Sequence, residues 1–107
     1  MAISISKANY QKDVIESKKP VVVDVFAVWC GPCQMMKPVF ADLEKEFEEQ
    51  YVFATLNVEE DRDLSTELGV TSIPSFLFFN KGKLIAKEVG FINADVFKKL
   101  LRNYFSQ

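Results

Sequence analysis

The segment Val21–Ala27 constrains the fold of this 107-residue chain more than any other segment. Its residues are apolar except for Asp24, and the run is too short for a buried helix. Such a run predicts a strand that is buried on both faces, which is typical of the centre of a parallel sheet. Because parallel strands need long crossover connections, the rest of the chain should alternate helices with strands.

The remaining hydrophobic patterns supply this alternation. In chain order they predict a strand at Ile3 and Ile5, a helix capped by Ser6 and ended by Lys18–Pro20, a helix from Cys30 to about Glu49, a strand at 52–58, a helix through Leu64 and Leu68 ending at Gly69, two strands at 76–79 and 84–86 joined by a tight turn, and a helix capped by Asn93. The order is β-α-β-α-β-α-β-β-α. We therefore expect an α/β fold with a central mixed five-stranded sheet flanked by four helices, in one domain spanning residues 1–107.

Cys30 and Cys33 lie where the buried strand meets the second helix. Residues three apart in a helix have Cα atoms roughly 5 Å apart, within the ~4.4–6.8 Å that a disulfide requires. A helix N-terminus also favours a thiolate, because its N–H groups and dipole attract negative charge. One thiol can then attack a substrate disulfide and the other can resolve the mixed disulfide.

Two structural interpretations of this pair are weaker. A disulfide that closes so small a loop stabilises a fold little. A structural zinc site needs four ligands, and a chain with two cysteines and no histidine could complete it only with carboxylates. The spacing therefore favours redox chemistry.

Charge and hydropathy argue against several classes of partner. The net charge is −2, so neither nucleic acid nor an anionic membrane is expected as the main partner. The longest apolar run, Val21–Val28, is far shorter than the ~20 residues that cross a bilayer. Residues 1–7 lack the pattern of a signal peptide, and we expect a cytoplasmic location.

Four separated motifs resemble the thioredoxin family over nearly the whole chain. They are the Trp-Cys-Gly-Pro-Cys motif at Trp29–Cys33, Asp24 in the preceding strand, Ile73-Pro74 before a strand, and Val89-Gly90 before the last helix. The resemblance implies the thioredoxin fold and a thiol–disulfide oxidoreductase that reduces protein disulfides.

The resemblance also implies roles for individual residues. Cys30 would be the exposed nucleophile, Cys33 the shielded resolving thiol, and Asp24 the group that handles the proton of Cys33. Pro74 would follow a cis peptide bond. The substrate groove would comprise Trp29, Gly31, Pro32, Ile73, Pro74, Gly90 and Phe91, although partial core burial of Phe91 is an equal alternative.

No bound cofactor is expected beyond the redox-active disulfide Cys30–Cys33. The resemblance implies that electrons come from NADPH through a separate flavin-dependent thioredoxin reductase, and that the protein acts as a monomer on disulfide-containing proteins. A disulfide isomerase or oxidase is a weaker alternative, because Gly31-Pro32 supplies no positive charge between the cysteines. A binding or chaperone module that uses the same apolar face without redox chemistry is another alternative.

Three departures from the family pattern bear on the site. Phe26 replaces a frequent Trp, Gln34 follows the motif where Lys or Arg is common, and Thr55 stands where bacterial relatives often have Lys. Asp24 is therefore expected to lack a nearby cation among its apolar neighbours. Burial should then raise its pKa, unless a neighbouring hydroxyl or a water holds it as a structural group.

Overall fold

The computed structural model describes residues 2–106, which form one five-stranded sheet with helices on both faces. The strands are β1 (Ile3–Ser4), β2 (Val21–Phe26), β3 (Val52–Asn57), β4 (Ser75–Asn80) and β5 (Lys83–Val89), and the helices are α1 (Lys7–Tyr10, continued by a π-helical turn at Gln11–Ile15), α2 (Gly31–Phe47), α3 (Arg62–Glu67) and α4 (Ala94–Phe105). This order confirms the predicted alternation, and α2 ends slightly before the predicted Glu49. None of the helices within residues 2–106 has the length and apolar character that crossing a membrane requires.

Strand β2 lies at the centre of the sheet. The spatial order is β1-β3-β2-β4-β5, with β1, β3 and β2 parallel and with β4 and β5 each antiparallel to its neighbour. Asp24 pairs with Thr55 of β3 on one side and with Phe76 of β4 on the other. Asp24 therefore lies on the central strand of the sheet, which has a neighbouring strand on each side.

Two apolar layers cover the two faces of the sheet. One layer joins the sheet to α2 and α4 through the buried side chains of Val22, Met36, Phe40, Leu43, Phe47, Phe53, Phe76, Phe78, Phe97, Leu101 and Phe105. The other joins the sheet to the π-helical turn and to α3 through Ile5, Val14, Val21, Val23, Val25, Ala54, Leu56, Leu64, Leu77 and Phe79. Because side chains alternate along β2, Asp24 faces the same layer as Val22, beneath α2.

Short polar side chains set the helix starts as the sequence predicts. The Ser6 hydroxyl accepts a hydrogen bond from the Ala8 N–H, and Asn93 Oδ1 accepts one from the Val96 N–H at 3.0 Å. Such N-caps satisfy donors that have no partner inside the helix and are typically worth about 1 kcal/mol each. Gly69 follows α3 with a φ of 76°, which confirms the predicted left-handed cap.

The turn between β4 and β5 consists of Lys81 and Gly82, both with positive φ, at 54° and 78°. Two consecutive left-handed residues match the twist of a two-residue hairpin. The space beside Gly82 is also restricted, since a Cβ there would lie 2.9 Å from the Ile15 carbonyl oxygen. This turn therefore packs against the end of the π-helical turn.

We expect Gly82→Ala to lower the free energy of unfolding by about 1–3 kcal/mol, because the methyl group adds both backbone strain and a backbone clash. Gly31→Ala is the control, since its Cβ would meet no atom within 4 Å and its φ is not positive. Urea denaturation followed by circular dichroism measures both variants. Equal stability of the two variants would contradict the close approach at Gly82.

Candidate active site

Cys30 and Cys33 form a disulfide at the N-terminus of α2. Cys30 is the N-cap residue, with extended backbone angles, and Cys33 lies in the first turn. Their Cα atoms are 5.2 Å apart, which confirms the distance predicted from helical spacing. The end of a central strand and the start of a long helix therefore position both sulfur atoms.

The two sulfur atoms have different surroundings. The Cys33 N–H donates a hydrogen bond to Cys30 Sγ at 3.3 Å, while Cys33 is the more buried residue, at 1% exposure against 6% for Cys30. The prediction that Cys30 is exposed is wrong for this disulfide form, because both cysteines belong to a buried cluster with Ala27, against which Phe26, Val58 and Ile73 pack. The difference in exposure nevertheless has the predicted direction.

The loop before α2 presents an aromatic surface beside the disulfide. Trp29 is 69% exposed, and Gly31 and Pro32 are also exposed. The Gln34 side chain donates a hydrogen bond from Nε2 to the Val28 carbonyl at 2.9 Å. Gln34 thus holds this loop to the first turn of the helix, a role that the sequence did not reveal.

The loop before β4 brings a second segment to the site. The Ile73–Pro74 peptide bond is cis, as the resemblance implies, and Ile73 packs against the cluster formed by Ala27 and the two cysteines. Pro74 itself is buried, and its carbonyl accepts a hydrogen bond from the Gly90 N–H at 2.8 Å. The predicted groove residues Ile73, Pro74 and Gly90 are therefore brought together.

The segment after β5 is the third part of the site. The Ile92 N–H donates a hydrogen bond to the sulfur of Met36 in α2, with an N···S distance of 3.4 Å. Phe91 is 45% exposed and belongs to none of the apolar clusters of the described residues, so the alternative of partial core burial is wrong. The contact between Ile92 and Met36 thus holds the backbone next to Phe91 near α2, while the Phe91 side chain stays partly exposed.

A hollow of about 240 Å³ lies beside the disulfide loop. It is lined by the predicted Trp29 and Ile73 together with Val58, Ser65, Val70, Thr71 and Ser72. The last five residues were not predicted from the sequence. Val58 could have been found, because it directly follows β3, and the carboxyl ends of parallel β2 and β3 meet at one edge of the sheet.

Asp24 is buried, with 4% of its surface exposed, and its Oδ1 accepts no hydrogen bond from any described residue. Burial raises the pKa of this carboxyl to about 7, and the positive charge of Lys37 acts in the opposite direction. The rise confirms the predicted effect of desolvation. The expectation that no cation lies nearby is wrong, because α2 carries Lys37 toward β2.

Asp24 and Lys37 line one cavity of about 310 Å³, which we call the Asp24 cavity. Its other lining residues are Ala2, Phe26, Phe40, Ala41, Glu44 and Thr55. Lys37 lies one turn after Cys33, on the same face of α2. Phe26 also packs against the cysteines, so the Asp24 cavity and the disulfide share one wall.

Within the described part of the chain, no three His, Cys, Asp or Glu side chains are arranged so that they could hold a metal ion.

Comparisons with known proteins agree with the geometry. The family model described as Thioredoxin matches residues 1–103. A protein named Thioredoxin from Borreliella burgdorferi is 30% identical over 115 residues, covering 98% of each chain. One from Chlorobaculum thiosulfatiphilum is 36% identical over 85% of this chain and 84% of its own, and one from Pseudomonas aeruginosa is 33% identical over 82% of each.

Proposed function

Because the chain belongs to the thioredoxin family and is a thiol–disulfide oxidoreductase, we propose that Cys30 attacks substrate disulfides and Cys33 resolves the product. The observation that carries this assignment is the hydrogen bond from the Cys33 N–H to Cys30 Sγ at the helix N-terminus. A donor aimed at one sulfur stabilises the thiolate on that sulfur. The smaller exposure of Cys33 supports its role as the second, internal nucleophile.

The exchange proceeds in two steps that conserve atoms and electrons. The Cys30 thiolate attacks one sulfur of the substrate disulfide, which breaks that bond, forms a mixed disulfide and releases the first substrate thiolate. The Cys33 thiolate then attacks Cys30 Sγ, which releases the second substrate thiolate and forms the Cys30–Cys33 disulfide. The substrate gains two electrons and the dithiol loses them.

Asp24 accepts the proton that Cys33 must lose before the second step. A base works best when its pKa is close to the operating pH, and burial raises the pKa of Asp24 to about 7. The Asp24 cavity lies beneath one face of α2, where it is lined by Lys37. Cys33 lies on that same face, one helical turn before Lys37. The lack of a hydrogen bond to Oδ1 within residues 2–106 leaves that oxygen able to receive a proton.

The substrate segment binds in the groove formed by Trp29, Gly31, Pro32, Ile73, Pro74, Gly90 and Phe91. Trp29 and Phe91 expose large apolar surfaces, and Ile73 packs against the cluster that contains both cysteines. An extended peptide can bury its side chains there while its backbone pairs beside Pro74. Substrates are therefore proteins whose disulfide lies in an accessible, extended segment.

We expect Trp29→Ala and Ile73→Ala to lower kcat/KM for a disulfide-containing protein by about tenfold each, since each loses about 1.4 kcal/mol of apolar contact in the transition state. Ile85→Ala is the control, because Ile85 is 39% exposed on β5, an edge strand that lies outside the groove. Steady-state kinetics with excess reductant measure all three. Equal losses in the three variants would reject the groove.

A separate thioredoxin reductase returns the disulfide to the dithiol with electrons from NADPH. The chain works in this cycle as one cytoplasmic, monomeric domain spanning residues 1–107, and it serves as an electron carrier. The test couples NADPH consumption to the reduction of a disulfide-containing protein, with this chain and a thioredoxin reductase present. NADPH consumption that does not depend on this chain would reject the proposed cycle.

A second role, binding without redox chemistry, is favoured by one observation. Val28, Trp29 and Met35 expose large apolar side chains around the disulfide, and such surfaces commonly contact other proteins. A double Cys30→Ser, Cys33→Ser variant tests this role. Retained binding to a reduced partner would support it, and loss of binding would leave disulfide exchange as the function.

A further inference from the structure

The Asp24 cavity is lined by one positive and one negative side chain besides Asp24 itself. Strand β2 carries no other charged residue. Asp24 lies between Val23 and Val25, and its neighbours across the sheet, Thr55 and Phe76, are uncharged. The charged side chains that line the cavity come from α2 alone and are those of Lys37 and Glu44. The charged groups at this cavity that can change the ionisation of Asp24 are therefore side chains of α2.

Two features place Lys37 at this cavity: its spacing along α2 and its position over the Phe26 ring. Residues 37, 40, 41 and 44 repeat at helical intervals and all line the cavity. The Lys37 ammonium group lies 5.8 Å from the centroid of the Phe26 ring, within reach of a cation–π contact. Since Phe26 follows Asp24 by two residues, it points to the same face of β2.

Lys37 is solvent-exposed and Asp24 is buried, and both line the same cavity. Phe26, Phe40 and the small side chains of Ala2 and Ala41 form much of the wall of the cavity. Near a protein surface the effective dielectric constant is well below that of bulk water, so a charge at the cavity acts on the buried carboxylate although Lys37 is exposed. In agreement with this geometry, the positive charge of Lys37 lowers the pKa of Asp24 against the larger effect of burial.

We propose that Lys37 is a positioning residue of the redox site, whose ammonium group stabilises the ionised form of Asp24 and so keeps this base available to Cys33. The proposal rests on the proton-acceptor role of Asp24 in the proposed function. Lys37 does not touch the reacting sulfur atoms, and it acts only through the carboxylate.

The test compares Lys37→Gln with Lys37→Arg, which retains the charge, and with Lys45→Gln, a control on the same helix that is exposed like Lys37 but does not line the Asp24 cavity. The titration midpoint of the Asp24 carboxyl is followed by NMR on the isotope-labelled, reduced protein. Lys37→Gln should raise the midpoint by about half a pH unit or more. Lys37→Arg and Lys45→Gln should leave it close to that of the wild type.

Turnover supplies the second measurement. At about pH 6, a smaller fraction of Asp24 is ionised in Lys37→Gln than in the wild type. The ratio of the variant's rate to the wild-type rate should therefore be about one third at this pH, and it should return to one near pH 9. A purely structural role for Lys37 would lower the ratio at both pH values.

The outcomes separate this proposal from the one on which it rests. An unchanged midpoint in Lys37→Gln would overturn the role of Lys37 alone. A raised midpoint with an unchanged ratio of rates at about pH 6 would overturn the proton-acceptor role of Asp24, and with it the catalytic role of Lys37. A raised midpoint together with a ratio that falls at low pH and recovers at high pH supports both.

Discussion

Cys33→Ser is expected to accumulate as a mixed disulfide between Cys30 and the substrate protein, because the thiol that would release the product is missing. Turnover should fall by at least about a thousandfold, as is usual when a reacting nucleophile is removed. Non-reducing electrophoresis followed by mass spectrometry of the linked peptides identifies the trapped cysteine. A complex that forms in high yield and contains Cys30 is the predicted result.

Cys30→Ser is the matched control for this experiment. It should lose turnover to the same extent but form little mixed disulfide, since Cys33 is only 1% exposed. In the reduced wild-type protein, an alkylating reagent should likewise modify Cys30 well before Cys33. Trapping through Cys33 instead, or equal alkylation of both thiols, would reverse the assigned roles.

Asp24→Asn is expected to make the protein more stable at alkaline pH and slower in turnover. The pKa of Asp24 is about 7 in the folded protein, against about 3.9 for an unperturbed Asp. Between these values the native state binds the extra proton, so the stability of the wild type falls as the pH rises. The penalty is absent below the unfolded pKa and complete above the folded pKa.

The expected size of this penalty follows from the two pKa values. Each pH unit between them is worth about 1.4 kcal/mol, so a fully ionised Asp24 destabilises the fold by up to about 4 kcal/mol. Asn keeps the volume of the side chain and removes its charge. Asp24→Asn should therefore raise the free energy of unfolding by about 2–4 kcal/mol near pH 9 and change it little near pH 3. Denaturation with urea at both pH values measures the difference.

Asp42→Asn is the control on the surface of α2, where a substitution should change stability by less than about 0.5 kcal/mol at either pH. In kinetics, Asp24→Asn should slow the release of substrate from the mixed disulfide by about a hundredfold, the usual contribution of a general base. An Asn variant that is less stable near pH 9 and fully active would show that the carboxylate is a paired structural group.

Most of the fold could be predicted because each element carries a local signal. Val21–Ala27 is apolar on both faces, Ser6 and Asn93 have cap chemistry, and Gly82 allows the tight turn. The Cys30–Cys33 distance could also be predicted, since it depends only on helix geometry. The cis bond before Pro74 came from the resemblance, because the local sequence alone does not distinguish it from an ordinary loop proline.

The features that escaped prediction depend on distant segments. Helical spacing places Lys37 on the same face of α2 as Ala41 and Glu44, but how near this exposed side chain lies to Asp24 is decided by the packing of α2 across the sheet. The burial of Cys30 likewise depends on Val58 and Ile73, which lie far along the chain. The sulfur–backbone contact between Met36 and Ile92 has no local signal at all.

The most direct test of the account is a single turnover without any other reductant. The reduced protein is mixed with an equal amount of a disulfide-containing protein, and both thiol content and linkage are determined by mass spectrometry. We predict that the substrate gains two thiols for each molecule of this chain that acquires an internal Cys30–Cys33 disulfide. Substrate thiols that appear without that internal disulfide, or a substrate that stays oxidised, would contradict it.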